Sequence, residues 1–205
     1  LSNFLVVSTR KIQDYGALEY LNTLQTNAFG QYGDLLRDLT RSPAMGFYLD
    51  NHNNKKSQLN ENYGRELMQL FSVGLVQLNL NGTPKRDATG KLLETYSQKD
   101  VIEITRALTG WNDAEPEIKR SSANFANYGK PMVSSWANQH DTDSKTFLGK
   151  TIPAGQDAYK DLDSVVEILV THPNTAPFVS LRLIQGMTTS DPSPAYLERV
   201  ATVFK

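Results

Sequence analysis

The chain has 205 residues, with 21 Lys and Arg against 22 Asp and Glu, and 39% of its residues are hydrophobic. That apolar content is enough for the core of one folded domain. The balanced charge argues against a nucleic-acid or anionic-membrane surface. The absence of cysteine excludes disulfides, thiol catalysis and thiolate metal sites. No apolar run approaches the roughly 18 to 20 residues of a membrane span, and no signal-peptide pattern is present.

The sequence pattern predicts a mainly α-helical fold. Leucine spacing predicts helices over 17–28 and 31–39. Ser42 followed by Pro43 predicts the start of a further short helix. We expect a single helical domain over 1–205, which we interpret as a fragment of a longer chain because it begins without Met.

The most polar stretch, 49–74, joins a loop rich in Asp, Asn, His and Lys to an amphipathic helix. Asn60 is placed to cap that helix and Gly74 to end it. The helical period predicts one buried face, made of Tyr63, Leu67, Leu70 and Phe71.

The helical rhythm stops over 75–96, where Asn-Gly between apolar runs predicts a β-hairpin excursion. Ser97 to Asp100 has the form of a capping box and predicts the next helix start. Residues 112–156 have little helical period and predict a long irregular insert with a small β element. Apolar stripes then predict three closing helices, around 162–169, 178–184 and 196–204.

Charged residues on the two central helices predict a buried ion-pair network. Glu61 with Arg65 and Asn62 with Glu66 are i,i+4 pairs, and the next helix carries Glu103 and Arg106. A structural network is the favoured interpretation, in which Arg65→Ala unfolds the domain. In the alternative, Glu66 or Glu103 is a general base and an arginine holds an anionic substrate. The expected network comprises Asn60, Glu61, Asn62, Arg65, Glu66, Glu103, Arg106 and Trp111.

Trp111 and Trp136 suit a sugar-binding surface, because aromatic faces pack on sugar rings. The favoured interpretation of Trp111, however, is packing over a helix end.

The loop before the central helix also fits part of a calcium-binding pattern. Oxygen or nitrogen donors fall at positions 1, 3, 5 and 12 of a calcium loop. Position 6 is Lys55 instead of glycine, and histidine is a poor calcium ligand. A hydrogen-bonded structural loop is therefore the favoured interpretation. The alternative is a site for calcium or another divalent metal at Asp50, His52, Asn54 and Glu61.

The best catalytic alternative lies in the insert, where His140 and Asp141 are adjacent. Such a pair can bind a metal or move a proton near neutral pH. The sequence holds only three histidines, so a metal phosphohydrolase of the HD type lacks its further histidines. A metal-assisted hydrolase would need His140 within reach of Glu66, Glu103 or Arg65 in an open cleft.

Six segments resemble a bacterial family of unknown function, number 1800 in its series (DUF1800), from about Arg41 to the C-terminus. They are SPAMGFYLDN, NENYGRELMQLFSVGL, DVIEITRALTGW, HDTDSKTFLG, HPNTAPFVSLRLI and PSPAYLERVATVF. The resemblance implies a mostly helical domain in the periplasm or outside the cell. It also implies a partner, an alkaline-phosphatase-like protein commonly encoded beside family members, but no activity.

The chain departs from that family in two places. A Trp- and His-rich motif expected upstream has no counterpart in Leu1 to Val7, and the 74–97 hairpin is longer than the short turn expected. We therefore expect an exported domain that binds or scaffolds a partner around a polar network. The alternative is a metal-assisted hydrolase that uses His140 and Asp141 with nearby carboxylates.

Overall fold

The computed structural model of this chain describes residues 1–12, 14–114, 126–134 and 137–204. Within these residues the fold is mainly α-helical, as the sequence predicts, with a single small antiparallel sheet. The helices are α1 (Asp14–Thr26), α2 (Tyr32–Arg41), α3 (Pro43–Tyr48), α4 (Asn62–Gln69), α5 (Gln98–Ala107), α6 (Ala158–Thr171), α7 (Thr175–Met187) and α8 (Pro194–Phe204). The strands are β1 (Lys145–Phe147) and β2 (Lys150–Ile152).

Two helix starts form as their sequence signals predict. The Ser42 side chain accepts the Met45 N–H at the start of α3, with Pro43 at its first position. At α5 the capping box is complete: Ser97 accepts the Asp100 N–H while the Asp100 carboxylate accepts the Ser97 N–H at 2.7 Å. Because these bonds are local in sequence, the motif alone specifies them.

Helix α4 is shorter than the sequence pattern predicts. It begins at Asn62 instead of after a cap at Asn60, although the Asn60 side chain still accepts the Asn62 N–H at 3.1 Å. It ends at Gln69, so Leu70 falls beyond the regular helix and is 43% exposed. The prediction that Leu70 belongs to the buried face is wrong. Tyr63, Leu67 and Phe71 are buried as predicted.

Residues 75–96 form paired backbone but no continuous strand. Three single antiparallel bridges join the pairs 76 and 94, 78 and 84, and 86 and 92. At their centre is a closed ring of hydrogen bonds. The Gln77 N–H donates to Leu93, the Leu93 N–H to Lys85, and the Lys85 N–H to Gln77, at 2.9, 3.1 and 2.7 Å. In place of one hairpin, three short backbone segments of this excursion pair with one another. We call residues 75–96 the clip.

The sheet lies in the insert, where β1 and β2 pair antiparallel with Lys145 opposite Ile152. Leu148 and Gly149 make the turn with φ of 49° and 73°, the positive values that a two-residue hairpin turn needs. Helix α5 holds this hairpin, because Asp100 accepts the Leu148 N–H and Glu103 accepts the Thr146 N–H, both at 2.8 Å.

The core is continuous from the N-terminal helices through α4 and α5 to β1 and α6. Close packing of α4 on α5 depends on Gly64, since a Cβ there would lie 2.7 Å from Thr105 Oγ1. Trp111, at 0% exposed, packs edge-to-face on Tyr159 with ring centroids 5.0 Å apart. Over the ranges that the structure describes, no helix has the length and apolar character needed to cross a bilayer.

Candidate functional site: two polar clusters adjoining α5

Three ionisable side chains meet in the core, and we call them the buried cluster: His140, Lys145 and Asp161. Their exposed fractions are 2%, 0% and 0%. Lys145 Nζ lies 2.6 Å from Asp161 Oδ2, and His140 Nε2 lies 3.2 Å from the same oxygen. Lys145 Nζ also donates to the Asp141 carbonyl oxygen. Side chains of this kind are almost never fully buried unless they are paired, so this contact is the central polar feature of the fold.

The local structure places each member of the cluster. Asp161 precedes Val165 by four residues and therefore lies on the buried face of α6. Lys145 alternates with Phe147 on β1, so both face the core. His140 packs on the end of α5, where a Cβ on Gly110 would lie 3.0 Å from the His140 Cβ.

The hydrogen bonds of His140 fix its tautomer. Its Nδ1 lies 3.0 Å from the Thr109 carbonyl oxygen. A carbonyl oxygen only accepts hydrogen bonds, so Nδ1 carries the proton. In a neutral imidazole the lone pair on Nε2 then faces Asp161 Oδ2. Two acceptors at that distance repel each other unless a proton lies between them.

The second carboxylate oxygen of Asp161 also has a partner. In the orientation that satisfies its neighbours, the Gln156 amide donates to Asp161 Oδ1 at 3.1 Å. The carboxyl group of Asp161 is thus contacted on both oxygens, by an amide on one and by Lys145 and His140 on the other.

Arg106 joins α5 to the segment that precedes β1. Its Nε and Nη2 donate to Asp141 at 2.7 and 3.2 Å, and its Nη1 donates to Glu103 at 2.9 Å. Burial acts to raise the pKa of Asp141, but the Arg106 hydrogen bond, together with the Asp143 N–H, outweighs it and lowers that pKa below its usual value. All three charged side chains are mostly buried and mutually paired.

A separate group, which we call the signature cluster, joins α4 to the start of α5: Glu61, Arg65 and Gln98. Arg65 Nη2 donates to Glu61 at 2.7 Å and to Gln98 at 3.0 Å, and Gln98 Nε2 donates to Glu61 at 2.8 Å. The side chains of Arg65 and Glu61 are 38% and 33% exposed. Water therefore screens this cluster far more than the buried one.

The remaining expected network residues lie apart. Burial raises the pKa of Glu66, and Arg65 only partly opposes that shift. Asn62 donates to Asp50 at 3.2 Å, away from Glu66. The structure brings Glu61 and Arg65 together, and separately Glu103 and Arg106, but no contact described here joins the two pairs. What the sequence presented as one network consists of two.

The loop that resembles a calcium site directs its four donors to different partners. Asp50 pairs with Lys11 at 3.0 Å. His52 Nδ1 lies 2.8 Å from the Gly46 carbonyl oxygen. Asn54 donates to the Thr105 carbonyl oxygen at 2.8 Å, and Glu61 belongs to the signature cluster. In the part of the chain that the structure describes, no three His, Asp or Glu side chains form a metal-binding group. This geometry is that of a hydrogen-bonded loop.

A cleft of about 250 Å³ opens between α1, the end of α2 and residues 128–131. Its charged lining is Glu19, Asp38 and Arg41. No residue predicted for catalysis or metal binding lines this cleft. His140 is buried beside Asp161 instead of facing Glu66 or Glu103. Trp136 lies outside the described residues.

Sequence reasoning did not include Asp161 or Asn174 among the site residues. Asp161 falls on the apolar face of α6, and a charged residue among buried apolar ones is the sequence signal that could have identified it as a site residue. Asn174, 3% exposed, donates to the carbonyl oxygens of Val73 and Val76 at 2.6 and 2.9 Å. It ties the α6–α7 junction to the clip, a contact that no local pattern predicts.

The chain matches a protein-family model over its whole length. The model described as "Protein of unknown function (DUF1800)" covers residues 1–205, a longer region than the resemblance from about Arg41 onward. Comparisons with curated proteins and with solved structures gave no match.

Proposed function

Because this chain belongs to the DUF1800 family, whose description states no activity, we propose from its surface that it is a protein-binding domain. Its docking face is the outer side of α1, and its partner is a protein with an apolar groove edged by basic residues. Export to the periplasm or cell surface, and an alkaline-phosphatase-like protein as that partner, are part of the proposal and rest on the family resemblance.

The observation that carries the proposal is an apolar stripe on the solvent side of α1. Tyr15, Leu18 and Leu21 follow one another at i, i+3 and i+6 and are 38%, 53% and 50% exposed. The other side of α1 packs inward, where Tyr20 is 2% exposed and its hydroxyl donates to the Leu5 carbonyl oxygen. Contiguous apolar surface of this kind marks interaction sites more often than scattered single residues do.

Charge on α1 favours a protein over a lipid surface. The only charged residues of the helix are Asp14 and Glu19. Amphipathic helices that lie on anionic membranes carry Lys and Arg on their polar face, so these acidic residues oppose membrane docking. They complement a partner whose groove has a basic rim.

The hydrolase alternative has less support from the geometry. A general acid or base must reach its substrate, but His140 is 2% exposed. Both carboxylate oxygens of Asp141 accept hydrogen bonds from Arg106. The cleft described above is lined by neither residue.

The proposal is tested by isothermal titration of this protein with an alkaline-phosphatase-like protein of the kind that the family resemblance implies as its partner. Leu18→Glu combined with Leu21→Glu places two charges on the docking face. Leu75→Glu, at a position 55% exposed in the clip, is the matched control. We expect the double variant to weaken binding by roughly tenfold or more and the control to bind like the wild type.

Three results would contradict this function. The first is absence of binding by the wild type, and the second is equal weakening of binding by the control variant. The third is a lower melting temperature of the free double variant, which would mean that the α1 face packs against another part of the same polypeptide.

A further inference from the structure

We propose that Lys145 and Asp161 join covalently: the lysine amine and the aspartate carboxyl group form an intramolecular isopeptide bond, with His140 as the proton carrier. This modification is independent of the docking face on α1. It involves only the side chains of the buried cluster, which are not part of that surface.

The first requirement is a nucleophile held against an electrophile without water. Lys145 Nζ lies 2.6 Å from Asp161 Oδ2, and both side chains are 0% exposed. The amine approaches no other carboxylate in the described contacts, because the Asp141 side chain is held by Arg106. Positioning of this kind makes the reaction effectively unimolecular.

The second requirement is the correct protonation state. An ammonium group does not attack and a carboxylate resists attack, so the reactive form is a neutral amine beside a protonated carboxyl group. Burying two charges is costly, and moving one proton from Lys145 to Asp161 removes both. That proton fits between Asp161 Oδ2 and His140 Nε2, which lie 3.2 Å apart. Without it, the His140 tautomer protonated on Nδ1 leaves two acceptor atoms facing each other.

The third requirement is stabilisation of the oxygen that gains negative charge. The Gln156 amide donates to Asp161 Oδ1 at 3.1 Å. A donor at this position stabilises the oxyanion of a tetrahedral intermediate. The cluster therefore combines a nucleophile, an electrophile, a proton carrier and an oxyanion donor.

The step is a condensation without a change of oxidation state. Lys145 Nζ attacks Asp161 Cγ, and the Nζ–Cγ bond forms. A proton from the amine passes to His140 Nε2 and from there to Oδ2. The Cγ–Oδ2 bond breaks, and Oδ2 leaves as water with this proton and the one it already carried. No oxidant, reductant or co-reactant is needed.

The product would link β1 to α6 across a sequence separation of 16 residues. It would hold the insert hairpin on the core in a chain without cysteine, where no disulfide can do so.

Mass spectrometry of the intact folded protein tests the proposal. We expect a mass below the sequence value by one water molecule. Lys145→Arg keeps the positive charge but should show its full sequence mass. Lys150→Arg, the exposed lysine of the same hairpin, is the matched control and should keep the deficit.

A tryptic map of the wild type identifies the bond even if Lys145→Arg does not fold. We expect no cleavage after Lys145 and a branched peptide joining residues 121–150 to residues 161–182, with fragment ions that place the link at Asp161 and not at Asp163. His140→Gln should leave a larger unlinked fraction in freshly folded protein. A full wild-type mass with normal cleavage after Lys145, or a deficit that maps elsewhere, would overturn the proposal.

Discussion

The buried cluster and the signature cluster contain similar side chains but differ in their access to water. Lys145 and Asp161 are 0% exposed, whereas Arg65 and Glu61 are 38% and 33% exposed at a similar separation. The N–O distances of the two contacts are nearly equal, at 2.6 and 2.7 Å, so distance alone does not distinguish them. The difference in burial is what separates their expected contributions to stability.

The physical reason is desolvation. An exposed ion pair exchanges contacts with water for contacts with each other and gains roughly 0 to 1 kcal/mol. A buried charge that loses its partner has no water to replace it, so removal of one member costs about 3–5 kcal/mol. The number of charged residues in a sequence segment therefore says little about how strongly that segment stabilises the fold.

Removal of Asp161 should give the largest effect. Asp161→Ala leaves the Lys145 side chain buried without its carboxylate partner and removes the proposed amide link to α6, and we expect a loss of about 3–5 kcal/mol in the free energy of unfolding, measured by urea denaturation. Asp163→Ala is the control on the same helix, since Asp163 is 64% exposed and pairs only with Arg37 in the described contacts. Equal losses from the two variants would remove the distinction between buried and exposed pairs.

Removal of Arg106 should give an intermediate effect that depends on pH. Arg106→Ala leaves Asp141 and Glu103 without their guanidinium, at an expected cost of about 1.5–3 kcal/mol near neutral pH. The folded pKa of Asp141 lies below the usual 3.8, so its stabilising contribution is present above pH 3.8 and is lost as the pH falls through the folded pKa. The difference between variant and wild type should shrink on acidification below pH 3.8, as followed by thermal melts. A difference in melting temperature between variant and wild type that stays constant with pH would contradict a stabilising contact between Arg106 and the Asp141 carboxylate.

Removal of Arg65 should give the smallest effect, although the sequence suggested that it would unfold the domain. Arg65 and its partner Glu61 are both exposed to water, so we expect Arg65→Ala to cost less than about 1 kcal/mol. The measurement is the same urea titration. A loss as large as that of Asp161→Ala would show that the signature cluster is energetically central.

Local sequence signals predicted local structure well. Ser42 with Pro43, and Ser97 with Asp100, specified helix starts because the capping partners lie within three residues. Helical periodicity was less reliable at Leu70, because the apolar period continues in the sequence although α4 ends at Gln69. The period of apolar residues alone does not show where a helix ends.

The candidate site was only partly predictable, because its contacts are long-range. The sequence singled out His140 in the insert, but its neighbours in the buried cluster are Lys145 on β1 and Asp161 on α6. The pairing depends on how the β1–β2 hairpin packs against α5 and α6, which tertiary structure decides. Residues 75–96 show the same limit: the turns were predictable, but the ring through Gln77, Lys85 and Leu93 was not.

Native-state hydrogen exchange tests the central claim most directly, that the buried cluster and not the signature cluster lies in the most stable part of the fold. We predict that amides of α6 around Asp161 and Leu162 exchange only through global unfolding. Amides in the first turn of α4, around Arg65, should exchange through smaller local openings. The account would be contradicted if the α6 amides exchanged as fast as those at the start of α4, or faster.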